Sequence, residues 1–296
     1  MNTFLTLLLN GISLGAIYAL IALGFAIIFK ASEVVSFMHG SLLLLGAYTI
    51  AVLDTSIGFL PAVLVGIAAT SGVGFLVERL LINRLRGAPV ISLAILTIGI
   101  DIMILTELTR RIGSDILNVA HPWAGDFIRI GGIGITTNRL FAMVTAGVLI
   151  AIFFTAFKFS SWGVAMRASA EDGETAALMG IKLGRVSALA WVIGAALAAV
   201  AGLFLVGSPT PGVTPGVWAV ALRAFPAAIL GGLDSTGGAL VGGLIIGIAE
   251  ALAAGYQDQL AFLGRGFGDV VPYVVMILVL LVRPSGLFGT KELTRV

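Results

Sequence analysis

The sequence contains little charge. Only 11% of its 296 residues are Asp, Glu, Lys or Arg, whereas 59% are hydrophobic, and the mean hydropathy is +1.11. Because soluble proteins carry about 25% charged residues, this chain lacks the charge that a water-facing surface requires. Soluble enzymes, nucleic-acid-binding proteins and disordered chains are excluded. Neutral runs longer than about 18 to 20 residues predict an all-α, polytopic transmembrane helix bundle in a lipid bilayer.

Several catalytic elements are also missing. The chain has no cysteine, and its two histidines, His39 and His121, show no metal-ligand spacing. No lysine follows a glycine, so there is no Walker A loop for nucleotide phosphates. Gly11 to Gly15 match the G-x-S-x-G pattern of serine hydrolases, but Ser13 lies inside a hydrophobic segment. We expect no enzymatic activity, no cofactor and no metal, and any ATP hydrolysis belongs to a separate subunit.

The hydrophobic segments predict about eight to nine membrane spans within one transmembrane domain over residues 1–296. The segments are 4–29, 34–53, 59–77, 88–106, 139–157, 186–207, 217–233, 236–254 and 270–282. The seventh contains Arg223 and Pro226, which predicts a broken or cavity-lining helix. We keep it as a crossing helix. The ninth is short, and we expect it to begin nearer Phe267.

The distribution of Lys and Arg predicts the orientation. If the hydrophilic loop 158–185 faces the cytoplasm, eleven Lys and Arg residues lie inside and five lie outside, with Arg223 unassigned. This split predicts an outer N-terminus and an inner C-terminus in a bacterial-type cytoplasmic (inner) membrane. The second long hydrophilic segment, residues 107–138, is then an outer loop.

Four ionisable residues lie within the predicted spans: His39, Asp101, Arg223 and Glu250. A charge at the bilayer centre costs at least about 2.5 to 3.5 kcal/mol, so such residues either serve the function or are held by partners and water. The four groups are scattered and form no evident proton relay. An ion-coupled secondary transporter therefore remains only an alternative hypothesis.

Glycine is abundant, with 39 residues in the chain. In membranes, small residues spaced four apart allow helices to approach closely. Gly238 and Gly242 have this spacing, and so do Gly243 and Gly247 on the same segment. We expect these contacts to lie within the chain rather than between subunits.

The inner loop contains a segment, Met166 to Gly180, that predicts one short helix ending at a glycine. Alanine and methionine would lie on one face, with Glu171, Asp172 and Glu174 on another. Such a helix suits the membrane surface or a groove on another protein.

Four segments, in order along the chain, carry a resemblance. They are Asn10 to Gly24, Ser36 to Tyr48, Arg167 to Val186, and Phe225 to Gly247 together with Arg283 to Gly289 near the end. Together they resemble the permease subunits of branched-chain amino acid ABC importers, specifically the shorter, LivH-type subunit. The chain departs from the family pattern at Ser36, Met38, Ser41 and Asp101. These positions lie in spans that are expected to border the translocation path. The departures therefore bear on the identity of the transported solute more than on the class of protein.

The resemblance implies an importer with several partners: two ABC ATPase subunits, a second and different permease subunit, and an extracytoplasmic substrate-binding protein. It implies a solute that is a branched-chain or other small amino acid, with urea or short amides as the alternative. It also implies that the inner loop forms the cytoplasmic coupling helix. The coupling residues would be Arg167, Glu171, Asp172, Glu174, Ala176, Ala177 and Gly180. Residues expected to serve the pathway or its gating are Tyr18, His39, Asp101 and Arg223.

Overall fold

The computed structural model describes residues 2–123, 127–130, 133–207, 212–260 and 266–289. Within these ranges the chain forms eleven α-helices and one two-stranded hairpin. The helices are α1 (Asn2–Ser32), α2 (His39–Ile57), α3 (Phe59–Val77), α4 (Val90–Ile112), α5 (Thr137–Phe159), α6 (Ser161–Glu171), α7 (Gly173–Leu178), α8 (Leu183–Leu205), α9 (Trp218–Gly231), α10 (Thr236–Gly255) and α11 (Phe267–Val282). Seven of them are long and apolar enough to cross a membrane, and α9 and α11 are shorter apolar helices. The predicted all-α polytopic bundle is confirmed.

Most predicted spans match a helix closely, and α11 begins at Phe267 as expected. The outer loop begins later than predicted, because α4 continues from residue 106 to Ile112. Glu107 pairs with Arg110 at 2.8 Å and with Arg111 at 2.6 Å, and ion pairs at these helical spacings support the extra turn. The loop also contains an unpredicted antiparallel hairpin, β1 (Phe127–Ile130) with β2 (Ile133–Thr136).

The seventh predicted span is corrected in two respects. Helix α9 has only 14 residues, which is about 21 Å and shorter than the roughly 30 Å hydrocarbon core, so this helix alone does not cross. The helix continues through Pro226, so of the two predicted alternatives, a broken or a cavity-lining helix, the break is wrong. Its first residue, Trp218, lies against Gly40 in the first turn of α2. Helix α9 therefore starts inside the bundle.

Helices α1 and α8 form the centre of the bundle. In the most apolar window of each, 78% of residues are buried, against 17% in α4 and α5. A helix that is apolar on all sides and enclosed by others belongs to the core. The exposed apolar faces of α4 and α5 are instead suited to lipid.

Close helix contacts are made by the tandem glycines of α10. Gly243 and Gly247 face α1, while Gly238 and Gly242 face α9. A Cβ atom on Gly243 would lie 2.5 Å from the Cα of Ala19, closer than side-chain atoms normally approach. The prediction that these spacings serve packing within the chain is confirmed.

Candidate functional site

The inner loop forms two short helices, α6 and α7, rather than the single helix predicted from Met166 to Gly180. The break lies at Asp172, whose backbone is extended with φ −154° and ψ 100°. Its carboxylate accepts hydrogen bonds from the hydroxyl of Thr175 at 2.6 Å and from the amide of Thr175 at 2.9 Å. These bonds hold the pKa of the Asp172 carboxyl below its ordinary value. Asp172 thus caps α7, and a capping residue is not itself helical.

The end of α7 depends on a glycine. Gly180 has φ +88°, a left-handed conformation that glycine adopts without steric cost. The next amide, of Ile181, turns back to the carbonyl of Ala176 at 3.0 Å, which satisfies a carbonyl that the helix end would leave unpaired. Gly180 therefore fixes the direction in which the chain leaves α7 toward α8.

The expected coupling residues have different surroundings. Ala176 is only 5% exposed and faces inward. The guanidinium of Arg167 donates to the carbonyl of Phe157 and lies over the ring of the same residue. Glu171, like Glu174 and Ala177, is exposed. Arg167 and Ala176 therefore serve contacts within the chain.

The two most exposed apolar side chains of this loop are not among the predicted residues. Leu178 is 83% exposed and Met179 is 80% exposed. The predicted apolar face grouped methionine with alanine, but Met166 is buried and Met179 is not. Two large apolar residues directly before a glycine stop, in a polar loop, are the signal that could have identified them.

Helix α6 also lines a cavity of about 610 Å³ at the predicted cytoplasmic end of the bundle. Arg167 and Glu171 of α6 share its wall with Lys30 at the end of α1 and with Asp234 before α10. The Lys30 ammonium donates to the carbonyl of Asp234 at 2.9 Å. Helix α6 thus lies close to the end of α1 and the start of α10.

Asp101 lies in the middle of α4, where α2 and α9 begin. It is 5% exposed, and its carboxylate accepts the backbone amide of Ser41 at 3.1 Å and the indole N–H of Trp218 at 2.9 Å. The first-turn amides of α2 have no helical partner and form the positive end of its dipole. A carboxylate within the bundle is therefore held by donors from two other helices.

His39 is fully buried beside α1. Its ring lies 4.4 Å from that of Phe25, and a Cβ atom on Gly24 would lie 2.6 Å from its Nε2. Neither ring nitrogen has a hydrogen-bond partner among the residues that the structure describes. The contacts of His39 are therefore packing contacts.

Tyr18 and Arg223 are brought together by Glu250 of α10. The Tyr18 hydroxyl donates to Glu250 Oε2 at 2.7 Å, and Arg223 Nη1 lies 3.2 Å from Glu250 Oε1 and 2.6 Å from Asp269 of α11. The cluster joins α1, α9, α10 and α11. Arg223 is thus paired with two carboxylates. These ion pairs offset the free energy that is needed to place a charged side chain in an apolar bundle.

At the predicted outer end of the bundle, an aromatic cluster lies beside the first turns of α5. Trp123 stacks on Phe141 with ring centroids 4.4 Å apart and donates to Asn138 at 3.1 Å. His121 lies 5.9 Å from the Trp123 ring. Burial lowers the pKa of His121 below its ordinary value, although the nearby Asp54 carboxylate acts in the opposite direction.

The sequence is similar to known permease proteins over nearly its whole length. Residues 7–280 match the family described as branched-chain amino acid transport system / permease component. The chain is 35% identical over 313 residues to the high-affinity branched-chain amino acid transport system permease protein LivH of Salmonella typhimurium, covering 99% of this chain and 98% of the relative. It is 32% identical over 309 residues to the corresponding protein BraD of Pseudomonas aeruginosa, with the same coverage. A probable LivH of Methanocaldococcus jannaschii is 32% identical over 295 residues, which cover 93% of this chain and 90% of that protein. No solved structure matches the chain at a significant level.

Proposed function

Because the chain belongs to the family of branched-chain amino acid transport permeases, we propose that it imports branched-chain or other small amino acids as the membrane subunit of an ATP-driven importer. The observation that carries this proposal is the match of nearly the whole chain to relatives named for that transport. Those names favour this solute class over urea, short amides or ion-coupled transport. The relatives are permease subunits and not enzymes, so the chain supplies the pathway.

A separate ATPase would dock on α7. Leu178 at the end of this helix and Met179 directly after it form an exposed apolar pair, and Glu174 and Ala177 are exposed nearby. An apolar knob of this kind suits a groove in a soluble partner. Two ATPases, one for each of two different permease subunits, would complete the motor, and an extracytoplasmic binding protein would deliver the solute.

The structure supports a short connection between the proposed ATPase-docking helix α7 and the centre of the bundle. Four residues, 179–182, separate α7 from α8, and α8 lies in the centre of the bundle. The interior of a packed bundle cannot deform continuously, so a shift of α7 would move α8 as a unit.

The expected pathway residues support a gating role for α9. The N-terminal end of α9 is held by the hydrogen bond from Trp218 to Asp101, and its middle is held by Arg223. Tyr18 orients Glu250, the partner of Arg223. His39 packs beside Phe25, which in turn lies 5.2 Å from Phe225 of α9. A short helix fixed by a few polar contacts is suited to switching between two positions.

Co-purification tests the docking proposal. The double variant Leu178→Asp, Met179→Asp should reduce recovery of the ATPase with the tagged chain at least about tenfold, because charge in an apolar groove is left unpaired. The matched control is Leu85→Asp, which alters another exposed leucine at the predicted cytoplasmic end (44% exposed). Recovery of the second permease should not change in either variant. Full ATPase recovery with the double variant would refute docking on α7.

A further inference from the structure

An apolar groove lies between α3 and α4 in the predicted outer half of the bundle. Both helices pack against α2 but make no extensive contact with each other, so α2 forms the floor of the groove. The lining includes Leu45 and Tyr48 of α2, Val73 of α3 and Met103 of α4. The volume of the groove is about 430 Å³, and Met103 is 72% exposed. The groove therefore opens toward the apolar surroundings of α4.

Along α4 the groove has about the depth of one membrane leaflet. It extends from Met103 to Arg111, the penultimate residue of the helix, and the helical rise between these two positions is about 12 Å. Half of the roughly 30 Å hydrocarbon core is about 15 Å. An acyl chain that enters from one leaflet therefore matches the length of the groove.

The polar end of the groove, at the end of α4, carries excess positive charge. Glu107 pairs with Arg110 at 2.8 Å and with Arg111 at 2.6 Å. Among the residues that the structure describes, Glu107 is the one carboxylate within ion-pair distance of either arginine. Two guanidinium groups therefore share one negative charge, and this end is net positive whatever further hydrogen bonds the arginines make.

Arg111 is placed to contact a phosphate at the mouth of the groove. It lines the groove, whereas Arg110 does not, and 54% of its side chain is exposed. Its Nε donates to Glu107, and the Tyr48 hydroxyl lies beside its guanidinium. A guanidinium has five N–H donors in a planar fork that suits phosphate oxygens, and tyrosine is typical of the boundary between lipid tails and water. Arg111 and Tyr48 thus mark the level at which a lipid headgroup would lie.

We propose that this groove binds one anionic phospholipid of the predicted outer leaflet, with an acyl chain between α3 and α4 and the phosphate on Arg111. The apolar lining favours a lipid over a free inorganic anion, because the lining contributes nothing to the binding of an inorganic anion. The net positive charge favours an anionic headgroup over a zwitterionic one, whose ammonium group would meet two arginines. The lipid would fill a gap that the helices leave open. The proposal does not depend on which solute is transported.

Native mass spectrometry measures the lipid preference. The full-length chain is purified in detergent with the subunits that accompany it, and it is titrated with phosphatidylglycerol or with phosphatidylcholine of the same acyl chains. Phosphatidylglycerol should bind at least about fivefold more tightly, as expected for one net charge near the membrane surface. Equal affinities for the two lipids would refute the anionic site. Inorganic phosphate should not displace phosphatidylglycerol, and displacement would assign the site to a free anion and overturn the proposal.

Two arginine variants locate the headgroup. Arg111→Gln and Arg110→Gln each remove one positive charge and one ion pair with Glu107, but only Arg111 lines the groove. Arg111→Gln should therefore weaken phosphatidylglycerol binding at least about fivefold. Arg110→Gln should weaken it about twofold at most, because its exposed charge acts through screening solvent. Equal losses in the two variants would reveal a diffuse effect of charge and would overturn the assignment to Arg111.

A second pair of variants tests the apolar part of the groove. Val73→Trp should weaken the binding of both lipids at least about tenfold, because an indole in the groove displaces several CH₂ groups of the acyl chain. The matched control is Val144→Trp on α5, at a position that is 56% exposed and does not line the groove. Unchanged binding with Val73→Trp would refute the site. The arginine pair leaves the apolar lining intact, so it decides the question if Val73→Trp does not fold.

The second permease subunit is the alternative occupant of this face. Phosphatidylglycerol should bind both to the chain alone and to the assembly that contains the second permease, with the same loss on Arg111→Gln. Binding to the chain alone, but not to the assembly, would identify the groove as a subunit interface and would overturn the proposal.

Discussion

Substitution of Gly243 by alanine tests the packing at the centre of the bundle. Helices α1 and α10 make the most extensive contact of any helix pair described, and they run antiparallel with glycines at the crossing. An alanine Cβ at position 243 would lie 2.5 Å from both the Cα and the backbone nitrogen of Ala19. Because these are backbone atoms, the clash can be relieved only by moving one helix away from the other.

The expected cost follows from two opposing effects. Overpacking of a tight interior costs about 1 to 3 kcal/mol, whereas replacement of glycine by alanine within a helix favours the helix by about 1 kcal/mol. Gly237→Ala is the matched control on α10, because its Cβ would meet nothing within 4 Å. The difference between the two variants should therefore be about 1 to 3 kcal/mol, with Gly243→Ala the less stable.

Thermal denaturation of the detergent-solubilised protein, followed by size-exclusion chromatography, measures this difference. At about 2 °C or more per kcal/mol for a chain of this size, the Tm of Gly243→Ala should lie about 2 to 6 °C below that of Gly237→Ala. Equal Tm values for the two variants would show that α1 and α10 do not approach as closely as described, and the packing argument would be refuted.

Three further predictions concern polar residues. Asp101→Leu should lower the free energy of unfolding by about 1 to 3 kcal/mol, because two buried donors lose their acceptor, while Asp101→Asn keeps an acceptor oxygen and should cost less; equal losses would contradict the two hydrogen bonds. Asp172→Ala should speed amide hydrogen exchange in residues 173–178, because α7 loses its N-cap, whereas Glu174→Ala should not. Because burial lowers the pKa of His121 from 6.5, the unfolded chain binds a proton more readily below that pH. The Tm of the wild type should therefore fall as the pH decreases below 6.5, and His121→Phe should flatten this slope; an unchanged slope would contradict the burial.

Much of the fold could be predicted because burial in a membrane demands long apolar helices. The segments α1, α8 and α10 are uniform in composition and contain few charges, so their existence follows from hydropathy alone. The segment of α9 also follows from hydropathy, since 217–233 is close to Trp218–Gly231. Its start inside the bundle could not be predicted, because it depends on the contact of Trp218 with Asp101, which is far away in the sequence. The extra turn of α4 similarly depends on local ion pairs at its polar end.

The candidate site was only partly predictable. Tyr18 and Arg223 were expected to serve the pathway, but their common partner Glu250 lies 232 residues from Tyr18 in the sequence, and only the packing of α1 on α10 brings them together. The break at Asp172 was available from local chemistry, since an acidic residue followed by Gly173 and Glu174 is typical of a helix start.

The most direct test of the central claim is leucine uptake into proteoliposomes. Vesicles containing the chain with its second permease, the ATPases and the binding protein should accumulate radiolabelled leucine only when ATP is supplied on the ATPase side. Vesicles containing the purified chain alone should show no uptake with or without ATP. Uptake by the chain alone, or uptake by the complete assembly that does not depend on ATP, would contradict the assignment of this protein as a permease subunit energised by separate ATPases.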